Sequence, residues 1–448
     1  MDPVRPEDES FDMHAPSTEG AAQRASLLHR AVWRWHFFAG LVILPFLAWL
    51  AITGGLYLYK PEIERMVYAD WIAASPGEPL SPARLIAETG RQTGARIVDL
   101  NSAPPGDSWR LTIDRAGERR TAFVDPVTGR VLGTVPDGGV METVKRLHSL
   151  SITGPIGNAM IEIVAGWAIV LVLTGFILWW PRRATAAFRR GGARGKWRRV
   201  HAWTGATVGI VLLFLAASGL SWSIVWGATM QTVIAWTESG RPRPPGAAPG
   251  GHHAPDRPAG RDDPALPWSM QRAAVPHAGH ADIIDADAAL AIAQARGLSA
   301  PYTLRPPGEP GRPWLISAAV TNSRDAHVVY VDPQDGAVLL DARSRDFGLG
   351  ARTFEWGLYT HMGQQYGAPN RLLVLVGAIG TLALCITAPV LWWKRRGSRR
   401  FAPAPIADPA TSRRVAAVML IVGLLLPLTG LTMLAALAGE WLWGKRQI

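Results

Sequence analysis

The sequence predicts a polytopic α-helical membrane protein with five transmembrane helices. Two small α+β domains lie outside the membrane, and the unit helix–domain–helix is internally duplicated. Three observations carry this. Uncharged apolar blocks, each long enough to cross ~30 Å of hydrocarbon, recur along the 448 residues. The basic residues between them crowd into two short loops. The second half of the chain repeats key positions of the first.

Residues 1–26 carry no signal-peptide pattern and read as a disordered cytoplasmic tail. The first span covers 27–60, with no charged side chain from Phe37 to Tyr59. Its Pro45 is of a kind that lipid-phase helices tolerate. Residues 61–147 form the first outer domain. There Pro82 to Thr93 has helical spacing, Trp109 to Asp114 and Thr121 to Asp125 read as strands, and Pro126 to Gly129 as a turn. The second span is 148–181, and loop 182–200 follows with eight Lys/Arg and no acid up to Arg199. The third span is 201–230.

The region 231–360 opens with a Pro/Gly-rich linker, 239–267, read as disordered. The second outer domain spans 281–345. It has a helix from Ala286 to Arg296, strands from Trp314 to Val320 and His327 to Asp332, and a turn from Pro333 to Gly336. Asp125 and Asp332, each before a proline, fit turn formation better than chemistry. The fourth span is 361–393. Loop 394–414 has seven Lys/Arg and one Asp, and the fifth span is 415–439. Basic loops stay in the cytoplasm, so the N-terminus is expected inside and the C-terminus outside.

Lys and Arg total 46 against 35 Asp and Glu, a net charge of +11, yet only 18% of residues are charged. The two loops explain much of the excess as a topology signal. No nucleic-acid-binding signature accompanies it, so the bilayer is the expected partner and nucleic acid is not. The single cysteine, Cys385, rules out an internal disulfide framework, a Cys-rich zinc site, an iron–sulfur cluster and haem attachment through C-x-x-C-H. No nicotinamide or flavin fingerprint, phosphate-binding glycine loop or catalytic triad is present.

A shift of 165 residues lays WRWHFFAG on RRVHAWTG, His36 on His201, and Thr53-Gly54 on Ser218-Gly219. A shift of 213 lays His148 on His361, Thr174 on Thr387, and Trp179-Trp180 on Trp392-Trp393. The outer segments FVDPVTGRVLG and YVDPQDGAVLL also match. Parallel repeats are a known membrane-protein plan. The fifth span has no counterpart.

The matched histidines form two pairs. His36 and His201 fall at the cytoplasmic helix ends, and His148 and His361 on the outer side. Imidazole ligates haem iron, and two facing helices can each offer one ring to a flat apolar macrocycle. Two non-covalent b-type haems are therefore expected, their iron held by His36 with His201 and by His148 with His361. A lone helix-end histidine is more often an interfacial side chain; matched depth in pairs is what argues otherwise. His29, seven residues before His36, is the second choice for the cytoplasmic site. Met362 beside His361 reads as packing. Arg30, Arg34, Arg198 and Arg199, and Arg371 on the outer side, suit propionate contacts, though topology and lipid headgroups explain them equally well. Dipeptides such as Thr53-Gly54, Thr174-Gly175, Ser218-Gly219 and Thr429-Gly430 read as close-packing points. Glu162, near the start of the second span, is a candidate proton or substrate group without an identified partner. His252, His253, His277 and His280 lie in or beside the linker and read as solvated rather than metal-binding.

These motifs, with LHSL, WWPRR, VHAWTG and THMGQQYGAPN…WWKRR, resemble the PepSY-associated transmembrane helix proteins of bacterial inner membranes over about 27–440. The resemblance implies PepSY-like outer domains in the periplasm. It also implies a role like that of di-haem ferric-siderophore reductases. Electrons would come from a cytoplasmic reductase, reduced flavin or quinol and reach a ferric siderophore or another ferric chelate. Two other readings stand beside it: a non-enzymatic, membrane-tethered PepSY regulator or scaffold, and a haem electron carrier whose acceptor is not iron.

Overall fold

The computed structural model describes residues 18–180, 192–237, 240, 265–271, 273, 275–395 and 409–445. Residues 1–17, most of both basic loops, and the linker stretch with His252 and His253 lie outside the described residues. Among the described residues, four helices are long and apolar enough to cross a membrane. They are α1 (Thr18–Tyr57), α6 (Pro155–Trp179), α7 (Ala193–Gly219) and α11 (Ala368–Arg395). They form a ring in which α1 packs on α6 and α11, and α7 packs on the same two. Members of the two repeats therefore meet along both seams. Ala39, Ile43, Leu47, Val164, Ala168 and Ala216 belong to its buried core.

Several expected boundaries move. Helix α1 already begins at Thr18, because residues 18–26 are rich in the good helix formers Ala, Gln and Arg. The second span starts at Pro155, after a separate helix α5 (Gly139–His148) and a turn. Likewise α10 (Leu349–His361) precedes α11. His148 and His361 thus end short helices of their own. The third span stops at Gly219, and the chain turns before α8 (Trp226–Trp236). Ser223 closes this corner on the Leu220 carbonyl at 2.7 Å, and Glu162 Oε2 accepts the Val225 and Trp226 N–H groups at 2.9 and 3.3 Å.

The fifth span is not one helix. It divides into α12 (Pro409–Leu425) and α13 (Pro427–Lys445). Pro427 lacks the N–H that would continue the ladder, and it takes the first-turn position that proline favours.

Outside the membrane, α2 (Lys60–Val67) and α3 (Ala69–Ile72) lead into α4 (Pro82–Thr93). Four strands follow: β1 (Arg96–Asn101), β2 (Trp109–Arg115), β3 (Glu118–Val124) and β4 (Val131–Pro136). The second repeat supplies α9 (Ala286–Ala295), β5 (Tyr302–Arg305), β6 (Trp314–Ala318), β7 (His327–Val331) and β8 (Val338–Arg343). The two expected outer domains are halves of a single antiparallel sheet of eight strands, ordered β4-β3-β2-β1-β5-β6-β7-β8. At the seam Leu100 pairs with Leu304 and Asn101 with Thr303. Joining there leaves neither β1 nor β5 as an open edge. Ser102 and Tyr302 exchange hydrogen bonds, and Arg305 Nε meets Asp99 Oδ1 at 2.6 Å. Helices α4 and α9 cover one face, burying Leu85, Leu100, Ala289 and Leu304. Asp125 and Asp332 make turns, accepting the N–H groups of Val127 and Gln334.

Candidate functional site

The four repeat-matched histidines share one local design. His36 on α1 has its Nδ1 3.0 Å from Thr174 Oγ1 on α6. His201 on α7 has its Nδ1 2.8 Å from Thr387 Oγ1 on α11. His148, closing α5, stands 3.0 Å from Thr53 Oγ1 on α1. His361, closing α10, stands 2.9 Å from Ser218 Oγ on α7. Each hydroxyl belongs to the same repeat as its histidine.

The hydroxyl geometry sets the tautomer. Thr53, Thr174 and Ser218 donate their only proton to the carbonyls of Trp49, Val170 and Phe214, at 2.8, 2.7 and 2.7 Å. Thr387 donates to Leu384 O at 3.2 Å. A hydroxyl that has given away its proton can only accept, so each imidazole donates through Nδ1. With Nδ1 protonated, the Nε2 lone pair is left for a metal.

Glycine makes room for three of the rings. A methyl on Gly54 would lie 3.0 Å from His148 Cε1, on Gly175 3.1 Å from His36 Cε1, and on Gly219 3.3 Å from His361 Cε1. Ala388 follows Thr387 at the fourth seat.

Rings of the two repeats approach one another. His36 and His201 are near enough for a charge on one to act on the other, and so are His148 and His361. Trp222 sits edge-on to His361, with ring centres 5.6 Å apart. Thr53 lies 17 residues beyond His36, and Ser218 lies 17 beyond His201. The two pairs are thus about 25 Å apart along the helices. Among the described residues no group of three or more His, Cys, Asp or Glu side chains gathers, so the donors come in twos.

Other candidates resolve differently. His36 lies near His201, and His29 lies two turns earlier on α1. Arg34 places its guanidinium over the Phe38 ring at 5.4 Å. Arg199 is a partly buried residue of α7. Arg371 meets Glu62 Oε1 at 2.5 Å and lies 4.9 Å over the Tyr59 ring. Its hydrogen bond holds the Glu62 carboxyl below the usual range. Glu162 gains a structural partner in the corner before α8. The seats Thr53, Thr174, Ser218 and Thr387 were not legible as such. Three belong to dipeptides that read as packing points. The shared spacing from histidine to hydroxyl in both repeats was the available signal. Thr429, placed in the same packing class, instead lies against Gly166 of α6.

A duplicated helical ring that crosses a membrane, carries a joint outer sheet and seats paired histidines defines a multi-pass membrane protein with a soluble domain. Residues 33–395 match the family described as PepSY-associated TM region, and the chain belongs to that family. Comparison with curated proteins returns no match.

Proposed function

We propose that this protein is a b-type di-haem oxidoreductase of a bacterial inner membrane. It would pass electrons from a cytoplasmic reductase, reduced flavin or quinol to a ferric chelate, such as a ferric siderophore, in the periplasm. The observation that supports this reading is the two histidine pairs near opposite ends of the helical ring, each ring with Nδ1 engaged and Nε2 left over.

The donor set fits haem. Two neutral imidazoles per site suit an iron that changes oxidation state. When bound, the group would supply a one-electron iron couple. His36 and His201 would hold one haem, and His148 and His361 the other. Thr174, Thr387, Thr53 and Ser218 fix the ring orientations, and Gly54, Gly175 and Gly219 keep the rings from being displaced. In the net reaction the donor loses one electron and the ferric chelate gains it, giving a ferrous chelate that releases its metal more readily. The basic loops favour an orientation with His36 and His201 toward the cytoplasm.

The test is a pyridine haemochrome assay on protein made with ample haem. Two b-type haems per chain are expected. His36→Ala or His201→Ala should remove one and spare most of the other, and His148→Ala or His361→Ala should do the reverse. Absence of a Soret band from folded wild type sinks the proposal. Anaerobic re-oxidation of the dithionite-reduced protein by ferric siderophores, against other acceptors, separates the reductase from a carrier with a non-iron acceptor.

A further inference from the structure

The C-terminal apolar block turns back on itself. A methyl on Gly423 would stand 2.7 Å from the Cα of Gly430, whereas a straight helix would hold these positions about 10 Å apart. The arms rest on different neighbours, α12 on α1 and α13 on α6. Each arm has under about 20 Å of uncharged helix, against the ~30 Å of a full crossing. The reversal's inner side is covered by protein: Leu426, Thr429 and Met433 are buried, whereas Leu424 and Leu425 face outward. Two of its amides are bonded, Leu426 N to Val422 O at 3.0 Å and Gly430 N to Leu426 O at 2.9 Å. Non-spanning backbone at membrane depth needs that shielding.

The direction of α13 follows from its contacts with α6. Thr429 lies against Gly166, Thr432 Oγ1 accepts the Trp167 Nε1–H at 2.9 Å, and Met433 joins the core around Val170. The two helices therefore run in the same sense, toward Trp179 and Trp180. With Thr429 level with Gly166, an offset of 263, Trp443 falls level with Trp180 and Lys445 with position 182, where the first basic loop opens. The ending Trp441-Leu442-Trp443-Gly444-Lys445-Arg446 repeats the aromatic-then-basic order of Trp179–Arg183 and Trp392–Arg396. Aromatic residues and then cations are what a helix shows on reaching the cytoplasmic interface.

We propose that α12 and α13 form a re-entrant hairpin and that the chain leaves the bilayer on the face that carries both basic loops. The protein then crosses the membrane four times, and the end expected outside lies with the N-terminus. This rests on backbone geometry and helix register and is independent of haem.

The test uses the full chain in its membrane. Single cysteines replace Gln447, Thr411 in the first turn of α12, and Asp137 in the turn after β4, each combined with Cys385→Ser. They are probed with a membrane-impermeant maleimide in spheroplasts and after lysis. Gln447→Cys should label with Thr411→Cys and oppositely to Asp137→Cys. Labelling together with Asp137→Cys overturns the hairpin and restores a fifth crossing. If a cysteine variant fails to accumulate, reporters fused after Ile448 give the same answer. A fluorescent, phosphatase-inactive fusion supports the hairpin, and the opposite pattern overturns it.

Discussion

Thr174 is a small residue with a large say over His36. Its proton is committed to Val170 O, so its lone pairs face Nδ1 of the ring. Thr174→Val keeps the shape and removes the acceptor. The buried Nδ1–H then loses its best partner and the ring its fixed angle. Loss of such an outer partner typically weakens metal binding about 10- to 100-fold. Haem retention at the His36–His201 site should fall by that order, read by titrating haem into the purified protein, while the other site changes little. Thr174→Ser should recover it, since Ser218 does the same work for His361. Equal retention in Thr174→Val and wild type would leave the hydroxyl as mere packing. The histidines were legible because the repeat places them in register. The hydroxyls were not, because a Thr-Gly pair in an apolar helix looks the same whether it packs a helix or seats a ring.

At the scale of elements, the segment around Trp268 shows how distant pieces are locked near His361. Trp268 Nε1 donates to Ser221 O at 3.1 Å, Gln231 donates to Trp268 O at 2.6 Å, and the Trp268 ring stacks on Phe354. Glu355 of α10, six residues before His361, accepts the Ser269 N–H and Oγ–H at 2.7 and 2.6 Å. Burial pushes the Glu355 carboxyl above its ordinary 4.5, with the Ser269 bonds opposing. Its contribution to stability is therefore fully present below about pH 4.5 and lost as pH rises through the raised value. Glu355→Gln keeps an acceptor for Ser269 and stays neutral throughout. Thermal melts from about pH 5 to about pH 8 should show wild type losing ground to the variant as pH rises; parallel curves would refute this. Sequence patterning placed helices at 82–93 and 286–296 and strands over parts of β2, β3, β6 and β7, but it read none of β1, β4, β5 or β8. It gave no sign of β1 joining β5, because that pairing links residues about 200 positions apart and depends on which edges remain open. It also read one uncharged block as one span, since hydropathy counts length and is blind to a reversal at Leu426.

The whole molecule is two copies of one unit that cannot finish a site alone. Each repeat contains both of its histidines and both of their hydroxyl seats, so ring orientation is settled within a repeat. Each pair, however, takes one ring from each repeat, and the sheet is completed only where β1 meets β5. A bis-imidazole site has a twofold character of its own, so a duplicated helix pair closing on itself suits it. The hairpin departs from this symmetry by resting on α1 and α6, both of the first repeat. These relations predict the outcome of cutting the chain within 182–191, in the basic loop between the repeats. Neither half expressed alone should bind haem through two histidines, because each holds one ligand of each pair. Co-expressed halves should associate through α1 with α11, α6 with α7, and β1 with β5, and recover both haems. Co-purification of an affinity-tagged first half with the second, followed by haem quantification, is the measurement. A single half that carries a full complement of bis-histidine haem would show that the pairs form within a repeat, and the cross-repeat geometry would then be wrong.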